Sequence, residues 1–317
     1  MQFEPKLFNP RSDPTRSFAA SDDAVGFSIG AAPEDCYIYS PAVVLAINVA
    51  MATRRPLLVS GEPGSGKSLL ARNAAGVLGR AYYEQVITSR TQASDLLWRF
   101  DALARLRDAK AGESGGARED YVEPGRVWWA FDPDGAARRG AKTFKDPAAP
   151  APAGTGAVLL LDEIDKADPD VPNDLLEPFG ARKFTVRETG ETVVVKRDVL
   201  LFFTTNRERE LPQAFLRRCV VLAMPEPSAA WFVELAKYKY PTLETSLFDA
   251  VAEKFMGLRR AARQSGQRPP GAAEFLDAIE ACKALGVDAR SEAFEAFMLA
   301  VAWKQPERPP QPQRAEP

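Results

Sequence analysis

Continuous apolar runs of strand length recur along the first part of the chain. They are Pro56–Ser60 (PLLVS), Ala157–Leu161 (AVLLL), Val199–Thr204 (VLLFFT) and Val220–Leu222 (VVL). Runs without alternation mark strands covered on both faces, as in a parallel sheet flanked by helices. Tyr82–Ile87 (YYEQVI) alternates instead and reads as a further strand. Helical patterns lie between these runs: Pro41–Ala52 ahead of the first, and Leu69–Leu78 after it with Gly79 as its stop.

Two segments interrupt this alternation. Between residues 88 and 156 the chain carries an insertion. Thr88–Lys110 holds a helical pattern with Ser94 or Asp95 as candidate cap, Ala111–Asp120 is Gly-rich and charged, and Glu123–Phe131 is an aromatic patch. Asp132–Gly156 is rich in Ala, Gly and Pro, and its middle, Lys145–Gly156, reads as a flexible connector. Val171–Phe179 reads as one short helix. Lys183–Val186 and Thr192–Val195 alternate about Glu188–Glu191 as a β-hairpin, and Leu211–Cys219 is a helix or turn. From Pro225 strand patterns cease. Trp231–Ala236, Leu243–Arg263, Ala272–Leu285 and Arg290–Trp303 are amphipathic helices.

The pattern predicts an α/β fold: a three-layer αβα domain on a parallel central sheet, followed by a small all-α domain. The expected boundaries are a polar, Pro-punctuated arm at 1–36, irregular or partly ordered through residue 33, and a core at 37–224. The core holds the insertion at about 90–150 and the hairpin at about 182–197. The helical domain spans 225–304, and a Pro-rich disordered tail follows at 305–317.

Composition narrows the function classes. Net charge is −2, so no global field draws the chain to nucleic acid or anionic lipid. No apolar run approaches the roughly 18 residues of a membrane span, and the N-terminus has no apolar signal core; a cytoplasmic protein is expected. Cys36, Cys219 and Cys282 are isolated, without metal-ligand spacing. There is no histidine, which excludes His-dependent triads and leaves proton transfer to carboxylates, Lys or Tyr.

The chemistry centres on Gly61-Glu62-Pro63-Gly64-Ser65-Gly66-Lys67-Ser68, which fits G-x-x-x-x-G-K-[ST] between a strand and a helix. A glycine turn followed by a helix aims backbone N–H groups at one point, as a polyphosphate requires. Lys67 is the candidate ligand of the β- and γ-phosphates, and the Ser68 hydroxyl the candidate Mg²⁺ ligand. The strand Ala157–Leu161 ends in Asp162-Glu163, a Walker B pattern. Asp162 is the second candidate for Mg²⁺, and Glu163 is the candidate that activates the attacking water. Asp165 and Asp168 read as helix-start or inter-subunit surface residues. Asn206 follows the next strand, where its amide can reach a γ-phosphate or lytic water. Arg217-Arg218 close the short segment LPQAFLRRC and are candidates to act on a neighbour's nucleotide. Tyr37 and Tyr39 suit either an adenine cover or packing. Trp98, Trp128 and Trp129 suit packing or, alternatively, gripping a partner.

Taken together, GEPGSGKS, LLLDEID, TTN and LPQAFLRRC resemble the AAA+ ATPases, and more narrowly the MoxR-like branch with its CbbQ/NorQ-type relatives, from about Tyr37 to Leu285. The insertion looks like that branch's insert in its second helix, and the hairpin like its hairpin before sensor 1. The resemblance implies ATP and Mg²⁺ held by Gly61 to Leu69 and Asp162. It also implies Glu163 as Walker B glutamate, Asn206 as sensor 1, and Arg218, with Arg217 second, as arginine finger. It further implies a ring, usually a hexamer, acting on a client or adaptor protein, with a von Willebrand factor A protein as suggested partner. Where the family carries a sensor 2 arginine this chain has Arg268-Pro269-Pro270-Gly271-Ala272-Ala273, so either Arg268 substitutes or sensing by the helical domain is weak. A remodelling ATPase is the leading expectation. An ATP-dependent oligomeric switch regulating an effector in a bacterial defence or signalling system shares every motif. A nucleic-acid translocase is disfavoured by the acidic balance, and a GTPase by Asn206-Arg207-Glu208, which is no guanine motif.

Overall fold

The computed structural model describes residues 6–10, 17–21, 24–28, 36–110, 117–139, 156–287, 291 and 293–302. The expected connector at 145–156, apart from Gly156, and the tail at 305–317 lie outside the described residues, as do Trp303 and most of the N-terminal arm.

The chain begins with β1 (Ser17–Ser21), β2 (Ala24–Ser28), β3 (Cys36–Tyr39), α1 (Pro41–Thr53), β4 (Leu57–Ser60), α2 (Lys67–Leu78) and β5 (Ala81–Val86). The insertion follows as α3 (Ala93–Leu97), β6 (Trp98–Phe100), α4 (Ala102–Lys110), β7 (Val122–Pro124), α5 (Arg126–Phe131) and α6 (Pro133–Ala137). Then come β8 (Ala157–Asp162), α7 (Asp170–Asp174), α8 (Leu176–Ala181), β9 (Lys183–Thr185), β10 (Thr192–Val194), β11 (Val199–Thr205), α9 (Gln213–Leu216) and β12 (Val220–Ala223). Four helices end the described chain: α10 (Ala229–Lys239), α11 (Thr245–Gln264), α12 (Ala272–Leu285) and α13 (Ala293–Ala302).

Two compact units emerge. One holds Tyr39–Gly61 and Lys67–Ala223, with the chain up to Thr15; the other holds Arg16–Ile38, Glu62–Gly66 and the chain from Met224 on. The first is built on a five-stranded parallel sheet in the order β12-β4-β11-β8-β5. Its interior strand β8, between β11 and β5, is buried from Ala157 through Leu161, as its unbroken apolar run requires. Because all five strands run parallel, the ends of β4, β8 and β11 meet at one edge of the sheet, where α/β folds place ligands.

The insertion closes its own core onto this sheet. Trp98, Trp128 and Trp129 are all buried, the latter two almost completely, so the packing alternative holds for all three. Trp98 stacks on Phe184 of the hairpin, with centroids 5.7 Å apart, and its indole N–H donates to Glu188 at 2.7 Å. The insertion and the hairpin are therefore joined. The cap of α3 is Gln92, neither Ser94 nor Asp95; Asp95 accepts from the Gln92 N–H at 3.0 Å from inside the first turn. The single helix expected over Val171–Phe179 is two, because Pro178 has no N–H to bond the Asp174 carbonyl, where α7 stops. Residues at the chain's start are pinned as well: Asn48 of α1 accepts from the N–H groups of Leu7 and Phe8 and donates to the Phe8 carbonyl at 2.7 Å.

The second unit is organised around Phe232, Phe255 and Phe275 from α10, α11 and α12, whose rings meet at 4.7–5.3 Å. Truncating any of the three to alanine would cost about 3–5 kcal/mol. In the arm expected to be irregular or partly ordered, β1 and β2 pair antiparallel, in a sheet of order β1-β2-β3.

Candidate functional site

At the C-terminal edge of the sheet the predicted residues of the first unit come together. Gly61, just past β4, donates its N–H to the Thr205 carbonyl at 3.2 Å. Lys67 is buried, with its ammonium on the Gly61 carbonyl at 2.9 Å. Ser68 and Leu69 lie in the first turn of α2, and the Ser68 hydroxyl donates to Asp162 Oδ2 at 2.8 Å. The other Asp162 oxygen accepts from the hydroxyl of Thr204, a fully buried side chain on β11. That hydroxyl also accepts the Glu163 N–H at 2.8 Å, so Thr204 ties both Asp162 and Glu163 to the neighbouring strand.

Glu163 has φ of 59°, a left-handed conformation costly for a residue with a Cβ. The turn aims its carboxylate at two groups. Asn206 Nδ2 donates to Oε1 at 3.0 Å, and Lys166 Nζ donates to Oε2 at 2.7 Å. The bond and the charge of Glu163 raise the Lys166 pKa above its ordinary value. Arg207 is left-handed too, with φ of 62°, and its guanidinium reaches Ser60 Oγ at 3.0 Å. Asp165, read from sequence as a helix-start or inter-subunit surface residue, lies in the first turn of a short 3-10 helix over Ile164–Lys166 and is buried, so the surface alternative fails. One of its oxygens accepts the Glu208 N–H at 2.9 Å and the other has no partner. Asp168 does sit exposed before α7, accepting the Asp170 N–H.

The remaining loop residues, Glu62 to Gly66, belong to the second unit. Gly64 and Gly66 have φ of 77° and 85°, conformations that glycine alone takes without strain. Ser65 donates its N–H to the Glu62 carbonyl at 3.2 Å, and its Oγ is buried without a partner. Tyr37 lies beside Gly66, 3.4 Å from where a Cβ would stand, with its hydroxyl on Met224; Tyr39, in the other unit, packs on Phe8 and donates to Asn73 at 2.7 Å. The Glu62 carboxylate is held by Arg259 and Arg263. Arg268, the sensor 2 substitute by resemblance, is more than half exposed and stands 3.8 Å from Glu274.

Arg217 and Arg218 are not brought to this edge. They precede β12, whose register pairs Val220 with Leu57, so they lie beside Arg55 at the opposite end of β4. Arg55 holds them there by donating to both backbone carbonyls, and both side chains are exposed. The four residues of β4 alone put about 13 Å between the two edges.

Thr204, Lys166, Arg207, Arg259 and Arg263 were missed by sequence reasoning. A Thr one residue before the strand's last residue is the sole signal for Thr204; the others are common charged residues whose partners lie far along the chain or on a turn.

A parallel sheet in this order, with a buried lysine and a paired serine and aspartate at one edge, defines an AAA-type P-loop protein. Residues 56–219 match the family model of the AAA domain of the dynein-related subfamily, and the chain belongs to that family. Among solved structures it is similar to a point mutant of Thermotoga maritima RuvB, at 16% identity and TM-score 0.46, over 82% of this chain and 68% of that one. It is also similar to the Thermotoga maritima RuvB Holliday junction branch migration motor, at 14% identity and TM-score 0.45, over 82% and 66% of the two chains. A protein of Cytophaga hutchinsonii with a provisional ATPase assignment shares 14% identity at TM-score 0.41, over 82% and 78%. Likeness at this level says nothing about activity. No curated protein matches the chain in sequence. Among the described residues no helix is long and apolar enough to cross a membrane.

Proposed function

We propose that this protein is a MoxR-type ATPase that hydrolyses ATP at the interfaces of a ring, usually a hexamer, and uses the cycle to remodel or activate a partner protein. One observation carries the reading. The hydrolytic carboxylate and Asn206 sit at one edge of the sheet, while Arg217 and Arg218 stand exposed at the other. An arginine that cannot reach its own chain's phosphates remains free to serve a neighbour's, which supports the reading, and AAA ATPases commonly assemble as rings.

The donor set fits Mg²⁺: a hydroxyl and a carboxylate oxygen, both hard oxygen ligands, meet at Ser68 and Asp162. When bound, the ion neutralises charge developing on the phosphates. Lys67 and the loop N–H groups hold the polyphosphate. Glu163 orients the attacking water and takes its proton, and Asn206 keeps that carboxylate turned toward the site. Arg218, with Arg217 second, stabilises the transition state on the adjacent subunit. A cytoplasmic setting and a von Willebrand factor A partner complete the proposal, on the strength of the motif resemblance.

The Lys166–Glu163 ion pair favours a second reading. A water-activating carboxylate held by an ammonium hydrolyses slowly, which suits an oligomeric switch controlling an effector. Glu163→Gln separates the two, because a switch locked with ATP stays active while a remodeller stops.

The test is Mg²⁺-dependent ATP turnover across protein concentrations, beside Lys67→Ala and Arg218→Ala. Specific activity is expected to rise with concentration, and each substitution to abolish it. Turnover flat in concentration and indifferent to Arg218 would overturn the shared-site reading.

A further inference from the structure

Within the second unit the tip of the phosphate loop is gripped at two points. Glu62 Oε2 accepts from Arg259 Nη2 at 3.0 Å, and Oε1 accepts from Arg263 Nη2 at 2.9 Å. The two arginines stand four apart on α11 and so project from one face. Arg259 is 2% exposed; its guanidinium lies 5.7 Å from the Phe232 ring centroid and donates to the Pro270 carbonyl. Burial lowers its pKa, while the charge of Glu62 works against that fall. Arg263 is further paired with Glu226. The second grip is on the backbone. The Ala272 N–H, at the start of α12, points at the Gly64 carbonyl at 3.4 Å, and a Cβ on Gly271 would stand 3.0 Å from that oxygen.

We propose that Arg259 and Arg263 are positioning residues for the nucleotide: by clamping Glu62 they hold the phosphate loop in its binding shape, so that loop geometry and the packing of α11 and α12 form one equilibrium. This rests on the reading that the loop holds ATP, and it adds how the helices sense occupancy. Withdrawing Glu62 leaves a desolvated guanidinium without its carboxylate, which is far costlier than losing a surface pair. Loop shapes that release Glu62 are therefore disfavoured. A polyphosphate that needs the convergent N–H groups selects the shape in which the clamp is closed. Coupling of this kind is reciprocal, so nucleotide must in turn tighten the helices.

The experiment titrates a fluorescent ADP analogue into wild type, Glu62→Gln, Arg263→Gln and the double variant, and follows amide hydrogen exchange with and without ADP. Each single substitution is expected to weaken ADP about tenfold, as loss of a charge-assisted bond would. The double variant is expected to be no weaker than the worse single, and Arg263→Lys to regain most of the loss. ATP turnover should show KM raised with kcat at saturation little changed. ADP should slow exchange in α11 and α12 of wild type but not of Glu62→Gln. Multiplying effects, or undiminished protection in Glu62→Gln, would overturn the clamp. Lys67→Ala separates the levels: if it binds ADP as wild type does, the nucleotide reading itself falls. If it loses ADP while Glu62→Gln keeps wild-type affinity, only the clamp falls. Arg263 is partly exposed, so its variants report even if a change at the buried Arg259 prevents folding.

Discussion

Thr204→Val isolates the residue that ties the Walker B turn to the sheet. Valine matches threonine in shape but replaces the hydroxyl with a methyl, at a side chain with no exposure. Two bonds vanish. The Glu163 N–H loses its acceptor at 2.8 Å, and Asp162 loses one of two hydroxyl donors while keeping Ser68. A buried donor left unsatisfied costs about 1–3 kcal/mol and a hydrogen bond to a charged group contributes about 1.5–3, so the loss is about 3–5 kcal/mol. At roughly 2–4 °C per kcal/mol the Tm should fall by about 10 °C. Thr204→Ser keeps the hydroxyl and loses one methyl, at about 1 kcal/mol. Turnover should follow the same order, because the left-handed Glu163 is held in place partly by this bond. The assays are thermal unfolding followed by near-UV circular dichroism, and ATP hydrolysis. If serine proves as damaging as valine, the effect is packing and the assignment to Thr204 is wrong.

Other outcomes follow from the same geometry. Lys67→Ala and Arg218→Ala proteins, each inactive alone, should recover up to about a quarter of wild-type turnover when mixed equally, the chance that an interface joins one intact loop to one intact arginine. No recovery would mean that the arginine acts within its own chain. Trp98→Phe keeps the stack on Phe184 but removes the bond to Glu188, and should lower stability by about 1–2 kcal/mol in urea unfolding. An unchanged midpoint would show that the insertion and hairpin are not coupled through it. Burial pushes the Cys219 thiol up to about 12 and raises Cys282 as well. Peptide mapping after alkylation at pH 8 should therefore find both unmodified until the protein is unfolded, since the thiolate is the nucleophile. Lys166→Met, which frees Glu163, should speed turnover if the ion pair restrains it; slower turnover would make Lys166 a supporting residue instead.

By itself the sequence determined the sheet, the loop and the helices. Ala157–Leu161 and Val199–Thr204 had to be central strands, because only a strand covered on both faces tolerates such a run. The glycine loop with Lys67 and Ser68, and the Asp162-Glu163 pair closing a strand, were legible for the same reason: each is a local pattern with its context beside it. Tertiary structure alone decided the partnerships. It set Thr204 between Asp162 and Glu163, Lys166 and Asn206 on one carboxylate, and Arg259 and Arg263 on a glutamate some 200 positions away. It also turned three tryptophans inward and buried Asp165. Charged and hydroxyl side chains carry no period that names a partner. Their positions follow from the need of each buried polar group for a hydrogen bond, and that need is met only by whatever the folded chain brings alongside.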